Sequence, residues 1–76
     1  NTTNEFVKWW EQTIRQAKQA EKRPLLFFKY NRSKVFVAVG QEPKVVKNYM
    51  YVNHLQCYVM EATAWLTYEK PSFINE

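Results

Sequence analysis

The sequence predicts an α/β fold: a small mixed β-sheet flanked by an N-terminal amphipathic helix and a short C-terminal helix. Three observations predict it. Residues 4–22 carry apolar side chains at the spacing of one helix face. Residues 25–30 and 35–39 are apolar or β-branched runs of strand length, separated by polar turn formers. Residues 61–70 combine good helix formers with Ala62, Trp65, Leu66 and Glu69 at helical spacing, ahead of Pro71.

The first helix has the clearest period. Phe6, Trp9, Trp10, Thr13, Ile14, Ala17 and Ala20 recur at i, i+3, i+4 and i+7, which makes one stripe that leaves water. Lys8, Arg15 and Lys22 are spaced by sevens and fall nearly in line on the solvent side, with Gln12 and Gln19 beside them. Thr2 with Glu5 fits a capping box, Asn4 is a competing N-cap, and Arg23-Pro24 disfavours helix beyond that point.

Residues 24–30, Pro-Leu-Leu-Phe-Phe-Lys-Tyr, lack alternation, as a strand buried on both faces does, so this run is expected to be a central strand. Lys29 then stands as a lone cation in an apolar strand, needing a carboxylate, a pocket or a ligand. Asn31 to Lys34 supply the turn, and Val35 to Val39, ending at the single glycine Gly40, close a hairpin. A further strand is expected within residues 45–52, where Tyr49 and Tyr51 alternate with Met50 and Val52. Residues 54–60 fit either a strand or a helix entry, since Leu55, Cys57 and Val59 alternate in a composition that helices tolerate. Pro71 is expected to stop the last helix.

Seventy-six residues, 46% hydrophobic and 17% aromatic, suit one small folded domain of marginal core size. The opening Asn1-Thr2-Thr3 reads as the interior of a longer polypeptide. The net charge of +4 makes an anionic partner worth testing. One cysteine, Cys57, cannot form an internal disulfide, and no apolar run reaches the ~20 residues that span a bilayer, so a cytoplasmic setting is expected.

Chemistry is sparse. There is no Asp, and the seven Glu residues are scattered, so paired-carboxylate and two-metal sites lack ligands. A single glycine excludes Gly-rich phosphate loops. His54 and Cys57 stand three apart without further soft ligands, and an inert core cysteine is the better reading than zinc or a nucleophile. What remains is a basic set: Lys8, Arg15, Lys18 and Lys22 on the helix, Arg23 at its end, Lys29 on the strand, and Arg32 and Lys34 in the hairpin turn. It suits phosphate contacts and a solvated face equally well. Trp9 and Trp10 read as packing residues rather than base-stacking ones.

Lys8-Trp9-Trp10-Glu11-Gln12-Thr13-Ile14-Arg15-Gln16-Ala17, followed by Arg23-Pro24-Leu25-Leu26-Phe27-Phe28-Lys29-Tyr30-Asn31-Arg32-Ser33 and Val35-Phe36-Val37-Ala38-Val39, resembles the C-terminal half of phage-type Holliday junction resolvases. These are nucleases of the PD-(D/E)xK, restriction-endonuclease-like superfamily. The resemblance covers roughly the first half of the chain. It implies a partial restriction-endonuclease-like fold in a single domain, residues 1–76, forming the C-terminal fragment of a longer nuclease domain. In such enzymes the acidic and ExK motifs precede this helix. Mg²⁺ or Mn²⁺ would then belong to the complete enzyme, with none bound by this chain alone.

The resemblance also implies that Gln12 and Gln16 are accessory catalytic residues near the scissile strand, and of the basic set Lys8, Arg15, Lys22, Lys29, Arg32 and Lys34 are expected to contact DNA. Gln12 and Gln16 fit a polar helix flank equally well. Glu42-Pro43-Lys44 spells ExK, but Pro43 denies it strand geometry. The expected function is the DNA-contacting part of a metal-dependent endonuclease, catalytically incomplete in this chain. The alternatives are a non-catalytic nucleic-acid-binding module and a structural or dimerisation domain. The expected partners are DNA, possibly branched, and a second copy of the chain in a homo-oligomer that could exchange strands.

Overall fold

The computed structural model describes residues 2–30 and 34–74. A helix, α1 (Thr2–Ala20), leads into the hairpin of β1 (Leu25–Tyr30) and β2 (Lys34–Val39). After a long loop come β3 (Met50–Val52) and β4 (Cys57–Glu61), and the chain ends in a helical segment. That segment is a short α-turn α2 (Ala62–Ala64), a π-helical turn (Trp65–Glu69) and a final turn α3 (Lys70–Ile74). The sheet order is β1-β2-β4-β3, with α1 on one face and the helical segment on the other.

The fold class is as the sequence predicts, but every pairing is antiparallel where a mixed sheet was expected. The reason is connectivity: among the described residues no helix crosses over between strands, and antiparallel neighbours alone can be joined by short turns. The expected central strand is also displaced. β1 lies at the edge, and β2 is the strand whose Val37, Ala38 and Val39 are buried. The unalternated Leu-Leu-Phe-Phe of β1 reflects partial cover on both faces. Phe28 meets Phe6 of α1 at 4.7 Å with the rings tilted by 44°, and Phe27 meets Trp65 edge-on at 5.9 Å while staying 44% exposed.

Residues 45–52 supply only the three-residue β3, and the ambiguous stretch resolves into a turn at residues 53–56 followed by β4. The turn residues 31–33, Arg32 among them, lie outside the described residues, although the flanking register Tyr30↔Lys34 fixes the hairpin. α1 begins at Thr2, so Asn4 sits in its first turn instead of capping it; whether the Thr2 side chain caps the helix lies outside what is described.

At its far end α1 closes with Lys22 N–H donating to Ala17 O (2.8 Å) and Glu21 N–H to Lys18 O (3.2 Å), while Glu21 takes a φ of 55°. This is a Schellman closure with a non-glycine in the left-handed position. Pro71 does not stop the last helix, which runs to Ile74. The π-turn immediately before it, where Lys70 N–H reaches back to Trp65 O, opens the helix where the proline ring would otherwise crowd a carbonyl.

Two apolar layers result. Trp10, Ala38, Cys57 and Val59 form one, joined by Phe6, Ile14, Leu26, Phe28 and Phe36. Val37, Val39, Val46, Met60 and Trp65 form the other, joined by Leu25, Tyr49, Tyr58 and Phe73. Gly40 follows β2 without a positive φ; a Cβ there would stand 2.9 Å from the Pro24 ring, so close approach demands the glycine. Among the described residues no helix is long and apolar enough to cross a membrane.

Candidate nucleic-acid interface

Amphipathic packing decides where the basic residues of α1 point. With Phe6, Trp10 and Ile14 turned to the sheet, Lys8, Gln12, Arg15 and Gln16 are all exposed. Lys8 and Arg15 lie seven residues apart, about 10 Å along the axis, a distance that matches the rise of about three phosphates on one DNA strand. Gln12 and Gln16, one turn apart, share a flank with Trp9, which is 38% exposed and so belongs to the surface instead of the core stripe where its spacing placed it. Thr13 turns its hydroxyl back to Trp9 O (2.9 Å).

The other expected contacts are not gathered on this face. Lys22 follows the left-handed turn at Glu21 and so leaves the line of Lys8 and Arg15. Lys29 needs no buried partner, because β1 is an edge strand and Lys29 is exposed. Its strand parity puts it with Leu25, on the face opposite α1. Lys34 shares the α1 side with Phe36, but its Nζ donates to Glu61 Oε1 at 2.8 Å, a pairing that raises its pKa. Arg23 is a tether: it donates to Gln41 Oε1 (3.0 Å) and to the Phe73 carbonyl, with its guanidinium 4.1 Å above the Phe73 ring.

The residues that could do chemistry are mostly used structurally. Cys57 is fully buried, and burial pushes its thiol up to about 11, which leaves it protonated and inert. His54 is exposed in the β3–β4 turn. Glu42-Pro43-Lys44 lies in the loop before β3, with Pro43 buried, and forms no strand.

Sequence reasoning missed Glu69. Its buried carboxylate accepts the backbone N–H groups of Lys44 (2.7 Å), Val45 (2.8 Å) and Val46 (2.9 Å), so it fastens the long loop to the helical segment. Burial opposes its charge, yet the three amides and the nearby Lys44 outweigh burial and hold its pKa below the ordinary value. The signal was present: Glu69 recurs four residues after Trp65, on the face that had to be inside.

A divalent metal needs converging carboxylates, and among the described residues no group of three or more His, Cys, Asp or Glu is placed to hold one. The donor set among the described residues therefore does not fit the metal that a PD-(D/E)xK nuclease uses. Compared with known families, residues 1–71 match the model of the family described as "Phage putative PDDEXK endonuclease". No curated protein matches the chain. No solved structure matches it either.

Proposed function

Because the chain belongs to the phage PDDEXK endonuclease family, we propose that it is the DNA-contacting part of a metal-dependent endonuclease acting on branched DNA, of the Holliday junction resolvase kind. In this reading the carboxylates that hold Mg²⁺ or Mn²⁺ come from outside these 76 residues. The match over residues 1–71 carries the reading. The exposed Lys8, Arg15, Gln12 and Gln16 on one helix support it.

Lys8 and Arg15 grip phosphates along α1, while Lys22, past the left-handed turn at Glu21, and Arg32 add phosphate contacts of their own. Gln12 and Gln16 orient the scissile strand or a water. Lys34 contributes less than Arg15, since it must first leave Glu61, and Lys29 serves only DNA that reaches the other face.

The test measures binding to a four-way junction and to linear duplex across a salt series. The expected outcome is tighter junction binding, with Arg15→Glu lowering the salt slope by about one unit and Lys34→Gln by less. Equal affinity for both DNAs would leave a non-catalytic nucleic-acid-binding module. No binding at low salt would leave a structural domain. The 76-residue chain is expected to cut neither DNA with Mg²⁺ or Mn²⁺, and cutting by it would overturn the incomplete-site part of the reading.

A further inference from the structure

The face opposite α1 holds three tyrosines that the basic helix does not use. Tyr51 of β3 and Tyr58 of β4 are direct cross-strand partners, so both rings leave the sheet on the same side. Their centroids are 4.7 Å apart at 42°. Tyr49 meets Tyr58 edge-on at 5.4 Å and 73°. Tyr49 and Tyr58 are half-buried against the layer of Val37, Val39 and Met60, which fixes them, whereas Tyr51 remains 44% exposed at the sheet edge. The outcome is an exposed aromatic ring held in place by two anchored ones, at small entropic cost because a tyrosine has only two χ angles to fix.

The loop that leads into Tyr49 carries Lys44 and the exposed Lys47 against Glu42, whose charge reaches Tyr58. Lys44 also faces the Glu69 carboxylate, so the cation this border offers is Lys47, whose Nζ donates to Lys44 O at 3.5 Å on the exposed side of the loop. An exposed ring with a cation on the same border is an arrangement that binds nucleic acid without reading its sequence, since every base has a π-face and every nucleotide a phosphate. Duplex DNA presents its bases edge-on and stacked, so the partner must offer unpaired ones.

We infer that the Tyr49–Tyr58–Tyr51 cluster is a stacking platform for the unpaired bases of single-stranded DNA, with Lys47 as its phosphate contact. The inference rests on the DNA reading above and adds to it the single-stranded element that a branched substrate exposes.

The test uses the 76-residue chain with an oligothymidylate carrying a central 2-aminopurine, and with a linear duplex as control. Wild type is expected to bind the single strand and quench the probe. Tyr51→Ala should weaken single-strand binding about tenfold and remove the quenching, with duplex affinity unchanged, while Tyr51→Phe keeps both. Lys47→Glu should lower the single-strand salt slope. Should Tyr51→Ala fail to fold by circular dichroism, Tyr51→Leu takes its place, since it keeps an apolar contact with Tyr58 but offers no π-face. Single-strand affinity and quenching that survive the loss of the Tyr51 ring overturn the platform. A wild-type chain that binds duplex but not single strand overturns the platform alone, and one that binds neither overturns the DNA reading with it.

Discussion

The two faces of the sheet are closed by different chemistry, and each has a buried tryptophan at its centre. On the α1 face Trp10 is 2% exposed and its indole N–H donates to Leu55 O at 3.1 Å, so one side chain both fills the layer and ties α1 to the β3–β4 turn. On the other face Trp65 is equally buried, in edge contact with Phe27 and Phe73, and its indole nitrogen has no hydrogen-bond partner among the described residues. Polar fastening there falls to Glu69 and Arg23 instead. A long amphipathic helix covers its face mainly by apolar area, with the single Trp10 hydrogen bond to Leu55 O beside it. A short helical segment broken by a π-turn is held by charged clamps, Glu69 within the π-turn and Arg23 on Phe73 at its end.

That contrast is most sharply broken at Trp10. Trp10→Ala removes the largest side chain of its layer and should destabilise the protein by about 3–5 kcal/mol, measured as a shift of the urea midpoint at constant slope. A loss below about 1 kcal/mol, the size of surface effects, would mean that α1 is not packed as described.

Glu69→Gln is the matching blow to the other face, and about 2 kcal/mol is expected, because a neutral amide cannot accept three backbone N–H groups as a carboxylate does. It also predicts a pH dependence. The folded-state pKa of Glu69 lies below its ordinary value of 4.5, so its contribution is fully present above that value and is lost as pH falls through the depressed one. The stability gap between wild type and Glu69→Gln should therefore be constant from pH 7 down to about 5 and close in more acidic solution. A gap that widens on acidification would contradict the charged clamp.

The two tryptophans can be compared directly as Trp10→Phe and Trp65→Phe. The first strands the Leu55 carbonyl, whereas the second removes a donor that already lacks a partner. Trp65→Phe should be the milder by about 1 kcal/mol in the same unfolding assay. Equal losses would mean that Trp65 gains as much from its ring contacts as Trp10 does from its hydrogen bond.

The difference between the faces also explains what could be read from the chain alone. Phe6, Trp10 and Ile14 announce themselves by period, and the β1–β2 hairpin by two apolar runs around polar turn residues, because local pattern and final packing agree there. The edge position of β1 was hidden, since its composition records cover from both sides and not its neighbours in the sheet. Pro71 misled because a π-turn absorbed it. Glu69 and Arg23 were legible only as charges: their partners lie 23 or more residues away for Glu69 and 18 and 50 away for Arg23. Of the expected DNA contacts, helical spacing brought Lys8 and Arg15 together, but it could not show that Lys22 departs past Glu21 or that Lys29 and Lys34 stand on opposite sides of the sheet.

The smallest expected effect concerns the ends of the two regions. Glu21 closes α1 and Gln56 closes the β3–β4 turn, with φ of 55° and 53°, each a left-handed conformation that a Cβ disfavours. Glycine relieves that strain but gives the unfolded chain more freedom, so the net gain at either site should be about 0.5–1 kcal/mol. Glu21 is exposed and its backbone N–H bond to Lys18 O survives the change, so Glu21→Gly should raise the melting temperature by a few degrees. Gln56→Gly tests whether the same gain appears where the turn also presents Leu55 O to Trp10. If Gln56→Gly instead lowers the melting temperature while Glu21→Gly raises it, the turn's rigidity is what keeps that hydrogen bond, and the α1 face depends on a polar fastening as much as the other face does.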